Sequence, residues 1–149
     1  MNNKYYTVCG IIEIEGKVLL VRHTYGNAKD RILLPGGFVQ ENELPTVAVE
    51  REILEETGVV AKSKSIIAMQ FKPEQWCAVM DYISGTPKSD GIENSEVLLL
   101  AAEECIKRND ITNMSREILK AYIAKYSELS KSGYVPASAD KDNYVIFGV

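Results

Sequence analysis

The chain has 149 residues, 46% of them hydrophobic and 26% charged, with a formal net charge of −4 and a pI near 5.1. That is the balance of one soluble globule, long enough to bury about 68–70% of the surface its unfolded chain exposes. The acidic balance argues against a sequence-independent nucleic-acid binder, which needs a basic face. No apolar run is long enough for a membrane span and no signal peptide opens the chain, so a cytoplasmic protein is expected.

Residues 5–14 (YYTVCGIIEI) read as a strand, with Gly10 as a candidate bulge. Glu15, Gly16 and Lys17 form a tight turn, and residues 18–22 return as a second strand. Residues 23–31 are polar and read as a loop, and residues 32–34 as a short strand entering a glycine turn at Gly36 and Gly37. Pro45 suits a first helical turn, residues 46–57 are rich in helix formers, and Gly58 can close the helix in the left-handed region. Residues 59–71 read as a strand interrupted by polar residues, and residues 75–84 as a largely buried strand. A loop at 85–94 leads to Glu96 and a strand at 97–100. Residues 102–108 read as a short helix and residues 113–131 as a longer one. Met114, Ile118, Ala121, Tyr122 and Lys125 give the longer helix a core or dimer face, so a homodimer is one expectation. Residues 1–133 are expected to form the domain and 134–149 a tail, with a terminal strand at 144–149 packed on it. The order of elements predicts an α/β protein with helices on both sides of a mixed sheet. Cys9, Cys77 and Cys105 are isolated and fit no metal-ligand spacing, so they read as reduced buried thiols.

The chemistry concentrates between Gly37 and Val59. At about 100° per residue, Glu52, Glu55 and Glu56 fall within an arc of roughly 100° on the helix. Three carboxylates so close repel one another unless a cation sits among them, and hard cations such as Mg²⁺ take oxygen ligands. Arg51 points away from the centre of that arc, and Glu43 on the preceding loop is its candidate structural partner. Bare, such a helix face is more often simply solvated. The whole stretch, however, resembles the Nudix box: glycine, five residues, Glu, seven residues, Arg-Glu-aliphatic, one residue, Glu-Glu, one residue, glycine-aliphatic. Gly37, Glu43, Arg51, Glu52, Ile53, Glu55, Glu56, Gly58 and Val59 fill every fixed position. Asn42 and Leu44 depart from the common form. Asn tolerates positive φ, while Leu44 removes a side-chain cap worth about 1 kcal/mol.

The resemblance covers about residues 5–109. It implies the Nudix α/β/α sandwich, with the box as a loop–helix–loop, and a Mg²⁺-dependent pyrophosphohydrolase in which Mn²⁺ can substitute. The substrate would be a small nucleotide: ADP-ribose-like, a nucleotide sugar, a dinucleoside polyphosphate or a nucleoside triphosphate. Glu52 and Glu56 are the expected metal ligands, Glu55 a third ligand or a base, and the carbonyl of Gly36 or Gly37 a further ligand. In this family the base often comes from a later loop, which points to Glu96, with Glu93 second. Arg22 and Arg31 are candidate phosphate contacts, with Lys29 and Lys72 behind them. His23, Trp76 and Phe71 are weaker candidates for substrate contact. Two other classes occur on the same fold, a non-catalytic nucleotide sensor and an isomerase of diphosphate-bearing isoprenoids. The box is intact, against a sensor, and no cysteine is marked for an isomerase.

Overall fold

Alternation along one central strand builds two cores. The computed structural model describes residues 6–71, 73–125, 128–135, 137 and 145–148. Strand β1 (Thr7–Ile14) turns Cys9 and Ile11 to one side and Val8 and Ile12 to the other, as successive strand residues must. A two-residue turn with positive φ at Glu15 and Gly16, 51° and 78°, matches the twist of a hairpin and returns the chain in β2 (Lys17–His23). Then follow β3 (Ile32–Leu33), β4 (Gly36–Phe38), α1 (Pro45–Thr57), β5 (Val60–Gln70), β6 (Gln75–Ser84) and β7 (Asn94–Leu100). The chain continues through α2 (Ala102–Cys105), α3 (Asn113–Ile123) and β8 (Leu129–Ser130).

The strands form one mixed sheet in the order β3-β2-β1-β6-β5-β8, with β4 also on β1 and β7 on β2. Only the β1–β6 pairing is parallel among these described pairs. Helix α1 lays Ala48, Val49 and Ile53 on the face of Val8, Ile12 and Leu19. Helices α2 and α3 cover the other face, where Ala102, Cys105, Ile118 and Leu119 meet Cys9, Ile11, Val18 and Leu20. The sheet therefore has helices on both sides, the α/β/α arrangement expected.

Three expectations change. Gly10 is no bulge: the register of β1 with β6 is regular through it. Its missing Cβ admits α1, since a methyl there would lie 2.8 Å from Ile53 Cδ1. The glycine turn is strand β4 rather than a loop, and Gly36 packs so tightly on β1 that a Cβ would collide with the Val8 carbonyl. Helix α3 ends at Ile123, and Lys125 takes positive φ of 56°. Leu129–Ser130 is then strand β8 on β5, where the periodicity predicted more helix. Of the expected terminal strand, Tyr144 and Val149 lie outside the described residues. Phe147 bridges Lys131, and the Ser132 and Gly148 N–H groups donate to the carbonyls of Ile146 and Ser130. Among the described residues, no helix is long and apolar enough to cross a membrane.

Candidate active site

Helix α1 is set by its ends. Leu44 at its N-cap makes no side-chain cap, and Pro45 takes the first turn. Gly58, at φ 73°, closes the helix with its N–H on the Leu54 carbonyl. Before it, Asn42 adopts φ 61°, the left-handed turn that brings Glu43 back over the helix.

Arg51 is the hub of this region. Its Nε and Nη2 donate to the two oxygens of Glu43 at 2.8 and 2.9 Å, and Nη2 also reaches the Phe38 carbonyl at 3.0 Å. Its Nη1 donates to Glu52 at 2.9 Å and Glu55 at 3.2 Å. A guanidinium's rigid fork suits this bidentate grip. The grip holds the Glu43 carboxyl below the usual carboxylate range and raises Arg51.

Glu52 and Glu56 sit deeper. Burial raises the Glu52 carboxyl, with Arg51 opposing. Glu56 is only 3% exposed and accepts one N–H, from Gly36 at 3.3 Å. Burial pushes it up to about 8, with Glu52, Glu93 and Asp90 adding to the rise. A methyl on Gly37 would collide with the Glu52 carboxyl, so the glycine is needed for that close approach. Glu55 stands apart, its side chain 59% exposed beside Arg51.

The third carboxylate of the group is Glu93. Oxygens of Glu52, Glu56 and Glu93 lie within 4.8 Å of one another. Glu96 is elsewhere. Its neighbours Leu98 and Leu100 join the α3-side core while Val97 and Leu99 join the α1-side core, so alternation turns Glu96 away from the box helix. There Arg22 takes it at 2.9 Å, while also binding Asp110 and the Asp30 carbonyl. The register slips between Arg22 and His23. This bulge re-aims the strand end, so Asn94, two residues before Glu96, turns to the α1 face and donates to the Glu56 carbonyl at 2.9 Å.

These groups open on a cleft of about 220 Å³ lined by Glu52, Glu93, His23, Tyr25, Phe38 and Gln75 among others. The rings of His23 and Tyr25 stack at 5.2 Å and 13°. Burial lowers the His23 imidazole, though Glu93 and Asp90 oppose it. Neither Arg22 nor Arg31 lines this cleft. Arg31 donates to the Ile111 carbonyl at 2.9 Å. Trp76 packs on Tyr6, centroids 5.6 Å apart, and Phe71 is exposed and away from the cleft. Lys72 lies outside the described residues. Tyr25, Phe38 and Gln75 carried no sequence signal. Glu93 did, as a loop acid ranked behind Glu96, but its selection needed the tertiary placement of that loop beside the box helix.

The donor set is three carboxylates, one almost fully buried with a single N–H partner. Crowded oxygens without thiol or imidazole suit a hard divalent cation such as Mg²⁺ or Mn²⁺, and charge of that sign would offset the burial, and with it the neighbouring carboxylates, that raise Glu56.

A family model of the NUDIX domain matches residues 3–131. An ADP-ribose pyrophosphatase from Methanocaldococcus jannaschii is 43% identical over 68 residues, 46% of this chain and 40% of that protein. The aligned segment thus spans less than half of the curated relative. Among solved structures, a NUDIX hydrolase from Nitrosomonas europaea superposes with a TM-score of 0.73 at 26% identity, over 84% of this chain and 73% of the other. A MutT NUDIX hydrolase from Burkholderia pseudomallei gives 0.67 at 21% identity, over 78% and 96%.

Proposed function

The chain belongs to the NUDIX family, and from that premise we propose that it is a divalent-metal-dependent pyrophosphohydrolase acting on a nucleoside diphosphate joined to another group. ADP-ribose-like compounds and nucleotide sugars are the first class to test, since the M. jannaschii relative carries an ADP-ribose pyrophosphatase name. The observation that carries the reading is the meeting of Glu52, Glu56 and Glu93 within 4.8 Å at the edge of a cleft.

In this reading Glu52 and Glu56 would hold the cation from the helix and Glu93 would complete the set from its loop. A divalent ion bound there supplies Lewis acidity toward the phosphoryl oxygens and lowers the pKa of an attacking water. Arg51 fixes the rotamer of Glu52, and the Gly36 N–H orients Glu56. Glu93 is exposed and lines the cleft, so its carboxylate would be placed to accept a proton from an attacking water. Neutral His23 stacked on Tyr25 offers a flat face for a base. Arg22 and Glu96 hold each other and act on the fold rather than on substrate, and Glu55 supports Arg51.

The test is a panel of ADP-ribose, nucleotide sugars, dinucleoside polyphosphates, NADH, CoA and nucleoside triphosphates with Mg²⁺ or Mn²⁺, with products separated chromatographically. Release of a nucleoside monophosphate from at least one compound, abolished by EDTA, is expected. A clean negative with both metals would overturn the reading.

A further inference from the structure

We propose that Asp90 and Thr24 are positioning residues that clamp the backbone of Glu93 and so set its carboxylate against Glu52 and Glu56; the inference rests on the functional reading above. An exposed loop glutamate ordinarily samples many rotamers and backbone states. Holding a catalytic group within about 0.5 Å of its working position requires support from neighbouring groups. At Glu93 that support comes from both sides of the peptide chain.

On one side, a single oxygen of Asp90 accepts three successive N–H groups, those of Ile92 at 2.9 Å and of Glu93 and Asn94 at 3.1 Å each. On the other, the Thr24 N–H donates to the Glu93 carbonyl at 3.1 Å, and the Thr24 hydroxyl donates to the Ile92 carbonyl at 2.7 Å. Both peptide groups of Glu93 are therefore held. The next residue docks the clamp on the box helix. Asn94 is fully buried, and its amide bonds the Glu56 carbonyl. Glu93 is thus fixed relative to Glu56 by a path that runs through hydrogen bonds and not through the sheet core. Thr24 follows His23, just beyond the β2–β7 bulge, so the same irregularity that turns Asn94 inward brings the clamp into place.

The role separates from the Asp90 charge by substitution. Asp90→Asn keeps an acceptor oxygen at the same place and removes the charge; Asp90→Ala removes both. Displacement of a reacting group by about 1 Å can cost 10²-fold in rate. Asp90→Ala is expected to lower kcat about 30- to 100-fold at nearly constant KM, and Asp90→Asn to stay within about threefold of the parent. The decisive readout is coupling. In an Glu93→Gln background, adding Asp90→Ala should change kcat less than about threefold, because the group being positioned has already been disabled. A role limited to general stability would add its full effect there. Titration of Mn²⁺ alone, followed by electron paramagnetic resonance, gives a second readout: about tenfold weaker binding for Asp90→Ala and parental binding for Asp90→Asn. Thr24→Val, nearly isosteric, should show the same pattern more weakly, so the inference does not depend on Asp90→Ala folding well.

Parental kcat and Mn²⁺ affinity in both Asp90→Ala and Thr24→Val would overturn the clamp while leaving the pyrophosphohydrolase reading intact. Equal damage from Asp90→Asn and Asp90→Ala, or full additivity with Glu93→Gln, would overturn it too. A parent protein that neither binds Mn²⁺ nor hydrolyses any substrate would overturn the underlying reading and the clamp with it.

Discussion

Glu56→Gln tests the carboxylate group most directly, because its effects on stability and on activity point in opposite directions. In the metal-free protein, burial raises the Glu56 carboxyl from 4.5 to about 8. A raised acid is protonated in both folded and unfolded chains below about 4.5, where the folded state loses nothing. Between about 4.5 and about 8 the unfolded chain is ionised while the folded one resists, so stability is lost progressively across that window. At about 1.4 kcal/mol per pH unit the loss amounts to roughly 5 kcal/mol. For a domain of this size that is a fall of roughly 10–20 °C in Tm. Gln keeps an acceptor for the Gly36 N–H and does not titrate. With EDTA, Glu56→Gln should therefore match the parent within about 1 kcal/mol at pH 5 and exceed it clearly at pH 9. Adding Mg²⁺ at pH 8 narrows the gap. A cation that binds only the folded state stabilises the parent by about 2.7 kcal/mol at a hundred times Kd, and the variant should lose most of that gain. Turnover should fall about 10²-fold or more. Thermal melts at the two pH values, with and without Mg²⁺, and one activity assay measure all of this. A parent whose metal-free stability is flat with pH, together with a variant that keeps the full Mg²⁺ gain and parental turnover, would refute the reasoning.

Three further outcomes follow from the geometry. Glu93→Gln should lower kcat by about 10²–10⁴, whereas Glu96→Gln should leave kcat within about threefold and cost about 0.5–1 kcal/mol through its half-exposed pair with Arg22; the reverse result in steady-state kinetics would undo the face assignment. Arg51→Ala leaves the partly buried Glu43 and Glu52 without their cation and should lower metal-free stability in urea by about 2–3 kcal/mol, while a change under about 0.5 kcal/mol would show that the hub does not hold the loop. Gly37→Ala should push the Glu52 carboxyl aside and reduce the Mg²⁺-induced rise in Tm with little change in metal-free stability; an unchanged rise would show that Glu52 is free to yield.

Much of the protein was legible because local chemistry decides it. Pro45 and Gly58 bound the helix by what their backbones permit, and Asn42 could stand where positive φ is needed. Helical spacing alone brings Glu52 and Glu56 onto one side, and the loop length from Glu43 lets Arg51 reach it. β-rich composition between turn residues marked the central strands, and the order of elements implied a mixed sheet. What remained depended on neighbours distant in sequence. Gly10 reads as a bulge until α1 is seen to need its missing side chain. Leu129 and Ser130 read as helix until β5 offers an unpaired edge. Arg22 reads as a free cation until β7 and the turn before α3 bring Glu96 and Asp110 to it. The choice between Glu93 and Glu96 rests on where β7 lies in the sheet: its alternation turns Glu96 to the α3 face, and its pairing with β2 brings Glu93, just before the strand, beside the box helix. Local composition decided which carboxylates the helix presents, and only the pairing of β2 with β7 decided which loop carboxylate joins them.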